Sequence, residues 1–253
     1  MSGATVNGRV TLVTGAAQGI GAAIAERLAA DGVVLALADM APAERTAAVA
    51  DDLAARHGVA ARAYQLDIRD GEACRRVVEA VTADFGGLDA LVNNAGVNTF
   101  GDTVELPEQA WVSVIDTNLN GTYRMSLAAY PALRERRGVV VNLASTAGHI
   151  AVKGSAAYAV SKAAIIHMTR VLALEWAGEG IRVNAVGPTI VPTAMNAGAR
   201  ANPTYMRDKL ASIPLGEMVL PQDVADAVAW LASGSARMVT GQTLFVDGGA
   251  TII

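Results

Sequence analysis

Between Arg9 and Asp39 the chain reads RVTLVTGAAQGIGAAIAERLAADGVVLALAD, and this stretch narrows the possible folds most sharply. RVTLVTG is an apolar run rich in β-branched residues, GIGAAIAERLAADG has helical spacing closed by Gly32, and VVLALAD is a second apolar run. A strand that is apolar along its whole length must be covered on both faces. Two such strands joined by a helix make a right-handed βαβ unit, and so the start of a parallel sheet.

The alternation continues. ARAYQLD, LDALVNNAG, GVVVNLAS, IRVNAVGP and QTLFVDGG read as further strands, with APAERTAAVADDLAARHG, GEACRRVVEAVTADFG and PQDVADAVAWLAS among the helices between them. About seven strands with helices on both faces predict a doubly wound α/β fold, and no linker or low-complexity tract divides residues 1–253 into more than one domain. The least regular stretch, 188–220, carries Pro192, Pro203 and Pro214, which interrupt any long helix there. A segment of that length without a long helix is expected to act as a lid.

Composition excludes several functions. Of 253 residues, 52% are hydrophobic and the net charge is -4, so a large core is available and there is no basic excess for a nucleic acid. No apolar segment is long enough to cross a bilayer, and the first residues do not have the charged-then-apolar pattern of a secretion signal, so a soluble cytoplasmic protein is expected. Cys74 stands alone and is expected to pack as a small apolar group in a reducing compartment. His57, at a helix end, and His167 read as structural, and the scattered histidines with one cysteine give no metal-ligand set.

The turn after the first strand, TGAAQGIG, places Gly15, Gly19 and Gly21 where backbone amides and the positive end of a helix can receive a pyrophosphate. The second strand ends at Asp39, about twenty residues on, where a carboxylate can accept the ribose hydroxyls of a dinucleotide. The alternative for Asp39 is a cap on the helix starting near Pro42. As a ribose acceptor it would repel a 2'-phosphate, and neither Gln18 in the loop nor Met40 offers a compensating cation, so NAD is expected over NADP.

Tyr158 and Lys162, in AYAVSKAA, project from one helix face at i and i+4. An ammonium beside a phenol favours the phenolate, the form a proton acceptor needs. Ser145 follows an apolar strand at the same sheet edge, as do Asn93 to Gly96, and its hydroxyl can hold a substrate oxygen. Asn118 falls within a helical stretch, where its amide needs a partner.

Together, Thr14-Gly15, Gly19-Ile20-Gly21, Asp67, Asn93-Asn94-Ala95-Gly96, Asn118, Ser145 and Tyr158 with Lys162 resemble, in order and over nearly the whole chain, the short-chain dehydrogenases/reductases. The resemblance implies Tyr158 as general acid/base, with Lys162 lowering its pKa and holding the nicotinamide ribose. It also implies that Ser145 orients the substrate oxygen and that Asn118 completes a water-linked proton relay to Lys162. Asp67 and Ile68 resemble positions touching the adenine, and the backbone of Asn94, Ala95 and Gly96 the wall beside the ribose. The family usually has Pro-Gly after the sixth strand, whereas this chain has Pro188-Thr189, with Thr193, or the backbone of Ile190 or Val191, expected at the carboxamide.

Substrate contacts are expected from Asn98, Ala151 and Asn196, and His149 is either a substrate contact or an exposed loop residue. The polar members of this set suit a polyol or sugar alcohol. Two other readings stay open: a 3-oxoacyl thioester reductase and a dinucleotide-binding regulator without turnover. The helix YAVSKAAIIHMTRVLALEWAG is apolar around much of its girth and VDGGATII ends on apolar residues, so a homo-oligomer is expected, and the resemblance implies a tetramer.

Overall fold

The computed structural model describes residues 8–252, so the reading of the first seven residues and of Ile253 lies outside the described residues. Seven parallel strands form one sheet in the order β3-β2-β1-β4-β5-β6-β7. They are β1 (Val10–Thr14), β2 (Val34–Asp39), β3 (Ala61–Gln65), β4 (Ala90–Asn93), β5 (Val139–Leu143), β6 (Arg182–Pro188) and β7 (Thr243–Val246). The order reverses between β1 and β4, and at such a switch point the loops leaving the strand ends diverge and open a crevice.

Alternation along each strand builds two cores. Val13, Leu35, Leu37, Val92 and Val141 pack against α1 (Gly19–Ala30), α2 (Ala43–His57) and α9 (Pro221–Ala232). Their neighbours Leu12, Ala36, Leu91 and Val140 pack on the opposite face against α3 (Gly71–Phe85), α5 (Thr122–Arg136) and α6 (Ala156–Trp176). Burying one such side chain stabilises the fold by about 1.5–3 kcal/mol, and inner strands such as β1 and β5 are buried along their whole length because both faces are covered, whereas the edge strands β3 and β7 are only partly buried.

Between α4 (Glu108–Ile115) and α5, residues Asp116–Gly121 form a π-helical turn. In the segment 188–220 the prolines do more than interrupt: Pro203 begins α8 (Pro203–Ala211), whose first amides are capped by Asn202 Oδ1, while α7 spans only Ala197–Arg200. Cys74 is fully buried and burial pushes its thiol up to about 11, so it is a packing group. No described helix is long and apolar enough to cross a membrane.

Candidate active site

The loop after β1 and the loop after β4 are bound into one unit. Thr14 Oγ1 accepts from the main-chain N–H groups of Asn94 and Ala95, each at 3.1 Å, and Asn94 Nδ2 donates to the carbonyls of Thr14 and Gly15 at 2.9 and 3.0 Å. Glycine is required by this closeness. A Cβ on Gly21 would lie 2.1 Å from the Gly15 carbonyl oxygen and 2.6 Å from Asn94 Nδ2, while Gly15 and Gly19 take left-handed φ values of 66° and 58°. Gly21→Ala is therefore expected to force the loop open, at about 1–3 kcal/mol of overpacking. Calorimetric titration should show binding of a nicotinamide dinucleotide weakened about tenfold or more, with a lower thermal midpoint.

Asp39 holds the other side of this loop. Its Oδ2 accepts from the Ala17 N–H at 2.9 Å and its Oδ1 from the Ala41 N–H at 2.8 Å. It does not cap α2, whose N-cap is Pro42. Gln18 Oε1 accepts from Arg45 Nη2 at 2.6 Å, which brings a guanidinium to the rim that sequence reading did not place there. Across the rim Asp67 pairs with Arg69 at 2.6 Å, and that hydrogen bond holds the carboxyl below its usual range.

Gly15, Gln18, Gly19, Ile20, Gly21 and Asp39 line one cavity of about 500 Å³. Asp67, Ile68, Asn94, Ala95 and Gly96 line the same cavity. So do Tyr158, Lys162, Pro188 and Thr193. Its length is set by the row of strand ends, and its glycine cradle, with a carboxylate beside it, fits the shape and hydrogen-bonding pattern of a dinucleotide. Arg69, Thr117 and Met195 line it too and carry no signal in the sequence beyond their nearness to Asp67, Asn118 and Thr193.

Tyr158 and Lys162 line the cavity, whereas Ser145 and Asn118 are not among its lining residues. Ser145 ends the loop after β5, its Oγ accepting from the Ala147 N–H at 3.2 Å and donating to the Pro188 carbonyl at 3.4 Å. Tyr158 and Lys162 rise from the first turns of α6, with Lys162 Nζ 5.5 Å from the centre of the Tyr158 ring and donating to the Leu143 carbonyl at 2.6 Å. Burial works on both: it pushes the Lys162 ammonium down to about 8 and the Tyr158 phenol above its ordinary value, with the Ser145 hydrogen bond opposing the second shift. In the free chain burial thus disfavours the phenolate, and the Ser145 hydrogen bond partly offsets this.

Asn118 is almost fully buried in the π-helical turn. Its Oδ1 accepts from the Val97 N–H at 2.8 Å, and its Nδ2 donates to the Val97 carbonyl at 2.9 Å and to Ser161 Oγ at 3.0 Å. Its carbonyl accepts from Thr122 Oγ1 at 2.7 Å.

The expected substrate contacts fall differently. Asn98, His149, Ala151 and Asn196 are not among the residues lining the cavity. Asn196 spends its amide within the segment 188–220, accepting from the Thr193 N–H at 3.2 Å and from Arg200 Nε at 2.8 Å and donating to the Val191 carbonyl at 2.7 Å. His149 is exposed with its ring 4.9 Å from that of Phe245. Ile190 and Val191 are buried in the cores. Asn98 Oδ1 is buried with no hydrogen-bond partner among the described residues.

Fold and cavity define an α/β oxidoreductase of the kind that uses a nicotinamide dinucleotide. The comparisons give its family. A family model described as enoyl-(acyl carrier protein) reductase matches residues 15–251. The chain is 40% identical over 249 residues to D-threitol dehydrogenase of Mycolicibacterium smegmatis, covering 98% of this chain and 94% of that one. It is 36% identical over 249 residues to the 3-oxoacyl-[acyl-carrier-protein] reductase FabG of Vibrio cholerae, covering 98% and 99%. The crystal structure of a short-chain type dehydrogenase/reductase from Mycobacterium marinum superimposes with a TM-score of 0.92 at 30% identity, over 98% of this chain and 97% of that one. The chain belongs to the short-chain dehydrogenase/reductase family and acts on CH–OH groups.

Proposed function

We propose that the protein interconverts a secondary alcohol of the polyol class and its ketone with NAD. One observation carries the reading: Tyr158 and Lys162 share one face of α6 and open onto the same cavity as the glycine loop and Asp39. A bound nicotinamide dinucleotide supplies the hydride acceptor or donor. Ser145 and Tyr158 then hold the substrate oxygen, and Tyr158 Oη takes the hydroxyl proton in oxidation or returns it in reduction. Lys162 orients the nicotinamide ribose and, with the oxidised ring, adds the positive charge that draws the phenol down. A shift of three units needs about 4 kcal/mol of preferential anion stabilisation. Asn118 completes the proton path behind Lys162. Thr193, which lines the cavity together with Pro188, would hold the carboxamide, and the segment 188–220 closes as a lid over a single domain.

The polyol class is supported by the likeness to D-threitol dehydrogenase over almost the whole of both chains. A second reading, reduction of a 3-oxoacyl thioester, is favoured by the likeness to FabG and by the apolar Val97 and Met195 in the cavity wall. Absorbance at the reduced-nicotinamide band, with NAD or NADPH and a panel of tetritols, pentitols, simple secondary alcohols and 3-oxoacyl thioesters, separates them. Oxidation of polyols that rises with pH, as the phenol deprotonates, is the expected result, and turnover of the thioesters alone would overturn it. A second copy of the chain is proposed to cover exposed Tyr123 and Leu127 of α5 and Val160 and Leu174 of α6, and light scattering returning a monomer would remove that part. A cytoplasmic location accords with one unpaired, buried cysteine.

A further inference from the structure

The residue just before Lys162 is absent from the proposed chemistry, yet it is wired into it. Ser161 is fully buried on α6. Its hydroxyl has one proton, which it donates to the Tyr158 carbonyl at 2.7 Å, and it accepts from Asn118 Nδ2 at 3.0 Å. Asn118 in turn grips Val97 by both main-chain groups, as a neighbouring strand would. Val97 follows Gly96, where a Cβ would stand 3.1 Å from Asn118 Oδ1 and 3.7 Å from Lys162 Nζ. One hydroxyl therefore links the helix bearing the phenol and ammonium, the π-helical turn, and the loop walling the cavity between them.

We propose that Ser161 is a positioning residue: by clamping Asn118 it holds the Val97 loop against the Tyr158–Lys162 face, so that an alcohol is seated within reach of the phenol. The clamp is specific because both donors of the Asn118 amide are engaged. Its oxygen accepts from the Val97 N–H and its two N–H groups go to Val97 and Ser161, so loss of the serine hydroxyl strands one buried donor. An amide with a stranded donor turns to satisfy it, and turning releases the Val97 N–H.

The kinetic part rests on the function proposed above, whereas the structural part can be read without any substrate. Amide hydrogen exchange on the full chain is measured for wild type, Ser161→Ala and Thr169→Val. Thr169 serves as control because it is equally buried on α6 and also loses a hydroxyl accepting a side-chain amide, that of Asn142 at 2.9 Å. Ser161→Ala is expected to speed exchange at the Val97 amide about tenfold, the scale of one lost buried hydrogen bond, while Thr169→Val leaves that amide protected. The same substitution should raise KM for the alcohol and lower kcat/KM about tenfold, with the NAD dissociation constant unchanged. An unchanged Val97 amide in Ser161→Ala, or equal loss of protection in both variants, overturns the clamp. Faster exchange with unchanged kcat/KM overturns the positioning role. If wild type turns over none of the alcohols, the proposed function fails, and the exchange comparison still decides the clamp.

Discussion

Tyr158→Phe is expected to lower kcat by about 10²–10⁴-fold, the range a positioned acid/base supplies, while the NAD dissociation constant stays within about twofold of wild type. The substitution removes one oxygen and nothing else of the packing. The ring stays over the Lys162 ammonium, 5.5 Å from its centre, and Lys162 keeps its hydrogen bond to the Leu143 carbonyl. Ser145 also keeps its bonds to Ala147 and Pro188, so the cavity wall is unchanged. The loss then comes from the missing hydroxyl, which gives up the proton transfer together with its hydrogen bonds to Ser145 and to the substrate oxygen. Steady-state rates, with NAD affinity from quenching of protein fluorescence, give both numbers. Turnover within a few-fold of wild type would show that another group moves the proton.

The second large effect concerns the cofactor's far end. A carboxylate about 4 Å from a phosphate charge repels it by roughly 4 kcal/mol at an effective dielectric near 20, about three decades in affinity, and solvent at the half-buried Asp39 trims this. Asp39→Asn keeps the side chain's size and an oxygen for Ala17 or Ala41, so the loop is disturbed less than by truncation. The ratio of kcat/KM for NADP to that for NAD is expected to rise about 10²–10³-fold. Arg45 favours the gain, since its partner Gln18 is neutral and the guanidinium can swing to a phosphate. A ratio unmoved by the substitution would mean that the ribose hydroxyls lie elsewhere.

Much of the architecture was legible because parallel strands buried on both faces leave continuous apolar runs, as Val10–Thr14 and Val139–Leu143 do. Gly15, Gly19, Gly21 and Asp39 were legible because tight turns and strand-end carboxylates narrow the choice of residue. The π-helical turn at Asp116–Gly121 was not, since a single wide turn between two helices has no residue-type signature of its own. Pro131 within α5 would have suggested a break, but it sits on the solvent side, where the displaced carbonyl can reach water. Side-chain aim in the segment 188–220 was equally hidden. Asn196 looked available for substrate because it is polar and near Thr193, yet Arg200, Thr193 and Val191 consume its amide, contacts that no spacing rule encodes. Arg45 lay outside the motif and reaches the rim only through the turn of α2.

The stitching of Thr14 and Gly15 to Asn94 bears on how such an enzyme can be re-engineered. Residues about eighty positions apart share one hydrogen-bonded seam, so a loop transplanted from another protein between β1 and α1 would arrive without its matching half. Chimeras that exchange both loops should keep nucleotide affinity where single-loop grafts lose it.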